Sequence, residues 1–285
     1  YLFAWRYFKS KKSTSAINII AWVSVTAIAV GAAALIVILS VFNGFEDLVK
    51  GLYTDFYADM RVLPAEGKQI TLDSNTVYKI TSIDGVTAVS KVIEEKALLA
   101  NGDYQSIVVV KGVDSVFAST NNIGKHIVRG VYEMGDVQNP GIVMGAGIEN
   151  AVGVDVTKGG FPLTLYTPNK GAGFDAVDGM FAFNITAKGV FAVQQEFDNK
   201  FIFTNIDFLR YMLSMTPNQV SGLELKINGR PEKIKAAIQH AIGKNFIVET
   251  RYEQNKNLYA VMQMEKWIIY GILSLILIVA AFNMI

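Results

Sequence analysis

Residues 17–42 read INIIAWVSVTAIAVGAAALIVILSVF, and none of them is charged. At about 1.5 Å per residue, a helix of this length spans roughly 39 Å, which exceeds the bilayer core of about 30 Å. A soluble helix of the same length would need a polar face, and the few polar residues here, such as Asn18 and Ser40, do not provide one. The stretch therefore predicts a transmembrane helix, and the rest of the chain must be interpreted relative to a membrane.

The segment before this helix indicates its orientation. Residues 1–16 carry an excess of basic side chains: Arg6, Lys9, Lys11 and Lys12. The first acidic residue is Glu46. By the positive-inside rule, this asymmetry predicts a cytoplasmic N-terminal segment. A cleaved signal peptide is the competing interpretation, but its apolar part would cover only about 7–15 residues. The longer run favours a retained anchor.

The composition excludes several classes of function. Hydrophobic residues make up 51% of the 285 residues and charged residues 18%, and the formal net charge is +1. Nucleic-acid binding would need a concentrated basic surface, for which this balance gives no basis. Because the chain has no cysteine, disulfides, thiolate catalysis and cysteine-ligated metals are excluded. His126 and His240 lie far apart in the sequence and are predicted to be ordinary surface or interface residues.

A second charge-free run, residues 267–285, predicts a second transmembrane helix. Helical stalks are predicted next to both spans, over residues 43–58 and 254–266, where apolar residues recur at helical spacing. The first stalk packs against its own chain or against a neighbouring helix. The two spans then bracket a domain on the non-cytoplasmic side, for which a bacterial periplasm is the natural compartment. Since the chain starts at Tyr1 and stops within an apolar run, we expect it to be a piece of a longer protein.

The region between the stalks has the pattern of an α+β domain. Residues 59–113 read as β-α-β-β with a hairpin at Asn101-Gly102, and residues 221–253 read as β-α-β. These two pieces are predicted to join into one subdomain, with the glycine-rich, β-rich residues 114–220 inserted between them. Within the insertion, the loop between Tyr166 and Met180 is longer than an ordinary hairpin loop, which favours a role in binding.

No sequence pattern of an enzyme is present. The P-loop, the dinucleotide-binding glycine fingerprint, zinc-ligand spacings and the nucleophile elbow are all absent. The glycines at Gly145, Gly147, Gly159 and Gly160 lack the strand–turn–helix context of a phosphate site. We therefore predict a binding or force-transmitting protein with no catalytic residue, metal or cofactor.

Several phrases of the sequence resemble one family of membrane proteins. RYFKSKK at residues 6–12 and AALIVILSVFNGFEDLVK at residues 33–50 are similar to the first membrane helix and stalk of lipoprotein-releasing ABC transporter permeases of the LolC/LolE type. MQMEKWIIYGILSLILIVAAFNMI at residues 262–285 resembles their second helix. VKGVD at residues 110–114 and GIVMGAGIENAVGV at residues 141–154 resemble the periplasmic domain of the wider MacB-like and FtsX-like permease superfamily.

The resemblance implies a fold and a set of partners. It implies a four-helix permease with one large MacB-like periplasmic domain, made of a porter-like subdomain and an inserted β-rich subdomain. Such a permease would dimerise, couple to a cytoplasmic ATPase, and move lipoproteins from the inner membrane to a periplasmic carrier. In the family, a protruding hairpin grips the carrier, and its place corresponds to the loop between Tyr166 and Met180. The candidate carrier contacts are Thr167, Pro168, Lys170, Phe174 and Met180.

The same resemblance places a lipid cavity between the two stalks and the adjacent helix ends. Its candidate residues are Phe42, Phe45, Leu48, Leu52, Val261, Met262 and Met264, although helix packing explains these residues as well. Two other functions stay open: a MacB-like permease that transmits motion to a periplasmic partner, and an FtsX-like regulator of cell-wall hydrolases. The sequence leaves both a homodimer and a heterodimer with a second permease possible.

Overall fold

The computed structural model describes residues 16–159, 162–168 and 180–282. We number the helices and strands of this part of the chain in order. The helices are α1 (Ala16–Phe56), α2 (Ser74–Thr81), α3 (Phe117–Thr120), α4 (Ala146–Ala151), α5 (Gln195–Asp198), α6 (Ile206–Met212), α7 (Pro231–Ile242), α8 (Arg251–Gln254) and α9 (Lys256–Phe282). The strands are β1 (Met60–Pro64), β2 (Ile70–Thr71), β3 (Val86–Asn101), β4 (Tyr104–Val113), β5 (Ile127–Gly130), β6 (Gly141–Gly145), β7 (Pro162–Pro168), β8 (Met180–Phe191), β9 (Phe201–Asn205), β10 (Gln219–Val220), β11 (Gly222–Ile227) and β12 (Phe246–Thr250).

The chain forms two compact units. The smaller contains the chain before Gly51 and after Gln254, and the larger contains Gly51–Gln254. Helix α1 contributes to both, because its last residues, from Gly51 to Phe56, belong to the larger unit. Within the described residues, the segment Trp22–Phe56 is long and apolar enough to cross a membrane, as judged by length and composition. An apolar N-terminal helix is therefore confirmed, while a second membrane span at α9 stays a prediction.

The larger unit is built on one continuous sheet. Its strands follow the order β12-β1-β11-β3-β4-β9-β6-β8-β5, and β7 pairs with both β3 and β8. The pairings of β7 close six strands (β3, β4, β9, β6, β8 and β7) into a ring. Strand β8 alternates between buried and less buried positions over residues 185–189, whereas β6 is buried at all five positions and β9 at four of five. Leu99, Val110, Ile142, Leu165 and Ile185 belong to one buried apolar cluster that extends through the unit.

Both β-α-β pieces of the sequence contribute to the open end of this sheet. Strand β1 lies between β11 and β12 and is antiparallel to both. Ile80 of α2 and Ile234 and Ile238 of α7 are buried in the same apolar cluster as these strands. Both helices begin at residues that favour a helix start. At α2, the Asp73 carboxylate accepts a 2.6 Å hydrogen bond from the Thr76 amide, and at α7, Pro231 occupies the first turn.

The predicted hairpin at Asn101-Gly102 is confirmed. Asn101 pairs with Tyr104, and Gly102 has a φ of +58°, which a glycine adopts at little cost. From this turn, β3 and β4 run antiparallel over ten residue pairs, so that β3 reaches from the open end of the sheet into the ring. The strands are longer than an average strand, which has about 5–6 residues.

Strand β12 forms one edge of the sheet, and the side chain of Gln239 covers it. The Gln239 amide donates to the carbonyl oxygens of Phe246 at 2.8 Å and Gly243 at 2.7 Å, and its oxygen accepts from the Val248 amide at 3.2 Å. One glutamine thus occupies backbone groups that a further strand would use. Edge strands need such protection because their unpaired groups promote association between sheets.

Replacing Gln239 with alanine is expected to destabilise the larger unit by about 1–3 kcal/mol, because three hydrogen bonds are lost and edge groups of β12 are left unpaired. Hydrogen exchange of the Val248 amide, measured by mass spectrometry on the full chain, checks this expectation. The control is the neighbouring, exposed His240→Ala, which should leave exchange unchanged. Equal exchange in the two variants would contradict the role assigned to Gln239.

Candidate functional site

Helix α1 carries an exposed apolar stripe that continues past the predicted span. Phe45 and Leu48 are 56% and 62% exposed, Val41 is also exposed, and Leu52 is half-buried. These positions recur at the i, i+4, i+7 and i+11 spacing of one helix face. Phe42 lies off this stripe and is half-buried. Phe45 and Leu48 are thus exposed on one face of α1, and their role in a lipid cavity stays a prediction.

Helix α9 carries a matching stripe. Val261 and Met264 are 48% and 56% exposed, and Ile268 continues the same face at helical spacing. Met262, by contrast, is buried, so it is a packing residue and not part of the exposed surface. This corrects one of the predicted cavity residues. Met262 differs from Val261 because successive side chains on a helix point about 100° apart, so that the two residues face different directions.

Within the smaller unit, the side chain of Lys266 on α9 forms polar contacts with α1. The Lys266 ammonium donates to the Asn43 side-chain oxygen at 2.8 Å and lies 3.5 Å from a carboxylate oxygen of Glu46. Glu46 also pairs with Lys50 at 2.6 Å, one helical turn along α1. Because Asn43 and Glu46 flank Phe45, and Lys266 follows Met264, the exposed residues of α1 and α9 occur at the same level of the helix pair. We call Phe45, Leu48, Val261 and Met264 the apolar stripe pair.

The end of α1 is anchored in the larger unit by aromatic packing. We call Gly51–Phe56, the part of α1 in that unit, the helix root. Phe56 is buried and stacks on Phe197 with ring centres 4.0 Å apart, and its ring lies 4.9 Å from Phe201 and 6.1 Å from Phe203. Tyr53 meets Phe197 edge to face at 5.0 Å. The aromatic partners come from the inserted region, and sequence reasoning did not connect them with the stalk.

Polar contacts hold the same helix root. The Tyr53 hydroxyl donates to Glu196 at 2.6 Å, and Asp55 bonds to Asn122 at 2.9 Å and to the His126 ring at 3.0 Å. His126 is therefore an interface histidine inside one unit, in agreement with its prediction as an ordinary residue. Burial, followed by the charge of Glu196, raises the pKa of the adjacent Tyr57 to about 12. The helix root is thus fixed by both packing and hydrogen bonds.

A buried network of charges lies on the sheet between β1, β11, β3 and β4. Lys111 and Glu224 are almost fully buried and bond to each other, and Lys111 also lies 3.3 Å from Glu94. Arg61 pairs with Glu94 at 2.7 Å. Burial raises the pKa of Glu94, but the attraction of Lys111 and Arg61 outweighs it and lowers the value to about 2. Glu94 is therefore ionised at every physiological pH.

The predicted carrier loop falls mostly outside the described residues. Strands β7 and β8 pair up to Pro168 and Met180, so the two strands that flank the loop are present. Met180 is exposed, whereas Thr167 is fully buried and is not available to a partner, which corrects its assignment as a contact residue. Thr167 is buried because it alternates with outward positions along a strand of the ring. Lys170 and Phe174 lie outside the described residues.

The glycines of β6 and α4 have a packing role. A Cβ atom at Gly145 would collide with the carbonyl oxygen of Asp198, and one at Gly147 would collide with the side chain of Asn199. The close approach of the Asp198 backbone therefore requires glycine at position 145, whereas at position 147 the Asn199 side chain would have to move. Among the described residues, no group of three or more histidine and acidic side chains could hold a metal ion.

With this geometry established, the family of the chain can be stated. Residues 21–241 match the family described as MacB-like periplasmic core domain, and the chain belongs to that family.

Individual proteins similar to the chain carry related names. The lipoprotein-releasing system transmembrane protein LolC of Neisseria meningitidis serogroup B is 28% identical over 98% of this chain and 67% of its own length. The LolE protein of Haemophilus influenzae is 24% identical over 100% of this chain and 69% of its own length. Among solved structures, the periplasmic region of MacB from Actinobacillus actinomycetemcomitans covers 70% of this chain and 92% of that structure, with 10% identity and a TM-score of 0.47.

Proposed function

We propose that the chain is a permease subunit of an ABC transporter that extracts lipoproteins from the bacterial inner membrane and passes them to a periplasmic carrier. A separate cytoplasmic ATPase supplies the energy, and the chain itself carries no catalytic residue. The similarity to proteins named LolC and LolE over nearly the whole chain supports this proposal. The observation in the structure that carries it is the apolar stripe pair.

The stripe pair suits the acyl chains of a lipoprotein. Phe45 and Leu48 follow the predicted span of α1, and Val261 and Met264 precede that of α9, so all four lie beside the membrane surface in the proposed topology. Exposed apolar side chains at that position are unfavourable in water and need a cover. An acyl chain that leaves the outer leaflet between the helices provides such a cover, at about 25 cal/mol for each Å² of apolar surface removed from water.

The proposed topology has two membrane helices on either side of the periplasmic region. Its segments are a cytoplasmic start (1–16), membrane helix one (17–42), a stalk (43–58), the first half of a porter-like subdomain (59–113), an inserted β-rich subdomain (114–220), the second half (221–253), a stalk (254–266) and membrane helix two (267–285). The continuity of α1 over Ala16–Phe56 and of α9 over Lys256–Phe282 supports joining each span to its stalk.

The proposed permease function implies several partners. The permease forms a homodimer or a heterodimer with a second permease, and it binds the ATPase on the cytoplasmic side. The carrier contacts the loop between β7 and β8, where the exposed Met180 supports an accessible binding surface. With Thr167 buried, the remaining candidate contacts are Pro168, Lys170 and Phe174.

A second function, MacB-like transmission of motion to a periplasmic partner, is supported by the helix root. Because Phe56 and Asp55 fix the end of α1 in the larger unit, a displacement of that helix would be passed to the β-rich region. This function does not require the stripe pair to contact lipid. The two proposals therefore differ in what covers Phe45 and Met264.

Photo-crosslinking distinguishes the two proposals. A benzophenone amino acid at Phe45 or Met264, in cells that express the full transporter, is expected to form lipoprotein adducts. The same amino acid at Tyr78, an exposed residue of the larger unit, serves as the matched control and should form none. Adducts with a second permease alone at both stripe positions, and none with lipoprotein, would overturn the lipid-binding role.

A further inference from the structure

The larger unit contains a cleft beside the buried charge network. Its volume is about 440 Å³, which lies within the range of about 300–1,000 Å³ that ligand pockets occupy. Residues of β1, β3, β4 and β9 and of the segment after β1 line it. We propose that this cleft binds an extended peptide segment that carries several carboxylates. Among the described residues, none of those that line the cleft belongs to the apolar stripe pair.

The innermost charges of the cleft are already balanced. Glu94 lines it and is held between Arg61 and Lys111, at 2.7 Å and 3.3 Å. Since both cations bind this carboxylate, Glu94 does not offset positive charge elsewhere in the cleft. Ser221, another lining residue, accepts a 3.0 Å bond from the Glu94 amide and fixes this part of β3.

The outer wall of the cleft carries three lysines. Lys68, Lys96 and Lys200 line the cleft and are exposed, and none of them forms an ion pair with a residue that the structure describes. The Lys200 ammonium lies 5.1 Å from the centre of the Phe201 ring, which also lines the cleft. With Arg61, four cationic side chains thus line the cleft against two acidic ones, Glu94 and Glu95.

The distribution of these lysines favours a peptide over a single small anion. They come from three separate segments: the turn after β1, strand β3, and the turn before β9. Single ammonium groups act as separate point charges, whereas one phosphate or carboxylate is best held by a converging arginine fork. Leu63, Pro64, Val109 and Phe201 provide apolar surface in the same cleft. An extended peptide with carboxylates spaced along it would match the separated lysines, and its backbone and carbon atoms would pack on the apolar surface.

The test measures binding of a fluorescein-labelled hexaglutamate peptide to the full chain in detergent micelles, by fluorescence anisotropy at low and at physiological salt. The chain is expected to bind this peptide and not a hexalysine peptide, with affinity falling as salt rises. The triple variant K68Q/K96Q/K200Q is expected to weaken binding by about tenfold or more. The matched control is K125Q/K233Q/K244Q, which removes the same charge from exposed lysines outside the cleft and should bind as the unmodified chain does.

Two results would overturn the proposal. Equal peptide affinity in the two triple variants would show that hexaglutamate responds only to net charge. Full competition by inorganic phosphate at the same molar concentration would show a site for any oxyanion and not for a peptide. The test is independent of the proposed lipid binding, because no residue of the stripe pair is changed. A failure of photo-crosslinking at Phe45 would therefore not contradict the proposal that the cleft binds an acidic peptide.

Discussion

Replacing Phe56 with alanine is expected to lower the free energy of unfolding of the larger unit by about 3–5 kcal/mol. The ring is almost fully buried and stacks on Phe197, with Phe201 and Phe203 beside it. Its removal leaves a cavity among aromatic rings that are held by β9 and α5 and cannot collapse freely. The cost therefore contains both lost transfer energy and lost contacts of the surrounding rings.

Hydrogen exchange of the β9 amides, Phe201–Asn205, reports this loss in the full chain, since β9 carries Phe201 and Phe203, whose rings lie beside the Phe56 ring. Phe45→Ala is the matched control, because it deletes the same side chain from an exposed position of the same helix. It should change the free energy of unfolding by no more than about 0.5 kcal/mol. If the two variants exchange alike, the helix root is not anchored by Phe56.

The second large effect is expected from Lys111→Met. This change leaves the buried Glu224 without its cation and takes one of two cations from Glu94. Removing one member of a buried ion pair typically costs about 3–5 kcal/mol, because the remaining charge is neither solvated nor paired. Urea unfolding of the full chain, followed by circular dichroism, measures the loss.

A double variant separates the charge effect from simple loss of packing. Lys111→Met with Glu224→Leu removes the whole pair and fills its space with apolar atoms, and it is expected to recover most of the lost stability. Arg61 continues to pair with Glu94 in this variant. A double variant that is no more stable than Lys111→Met would show that Lys111 acts through its packing on Phe117, whose ring centre lies 5.3 Å from the ammonium.

Local signals in the sequence predicted the regular elements well. The Asn101-Gly102 turn, the start of α7 at Pro231 and its end before Gly243 each depend on the conformational preference of one or two residues. The apolar α1 is likewise set by composition alone, since a long charge-free run has no polar face. Even so, the ranges 160–161 and 169–179 and the ends of the chain lie outside the described residues, so the predicted carrier loop stays a prediction.

Contacts between distant segments could not be predicted in this way. Phe56 and Phe197 are 141 positions apart, and nothing in either local pattern indicates that their rings stack. The contacts of Gln239 could not be predicted either. Its neighbours on α7 suggest a residue that faces solvent, although its side-chain amide bonds to the backbone of β12. The sequence also predicted seven cavity residues as one group, while the turn of the helix places Met262 inside and Val261 outside.

The sequence by itself determined that residues 17–42 of α1 form a charge-free apolar run, where hairpins turn and where helices begin, because these properties depend on neighbouring residues. The tertiary structure decided which face of α1 and α9 stays exposed, how β7 closes the ring of strands, and how Lys111 finds Glu224 across 113 positions. Those outcomes depend on the register of strands and the packing of side chains from segments far apart, and no single stretch of sequence contains that information.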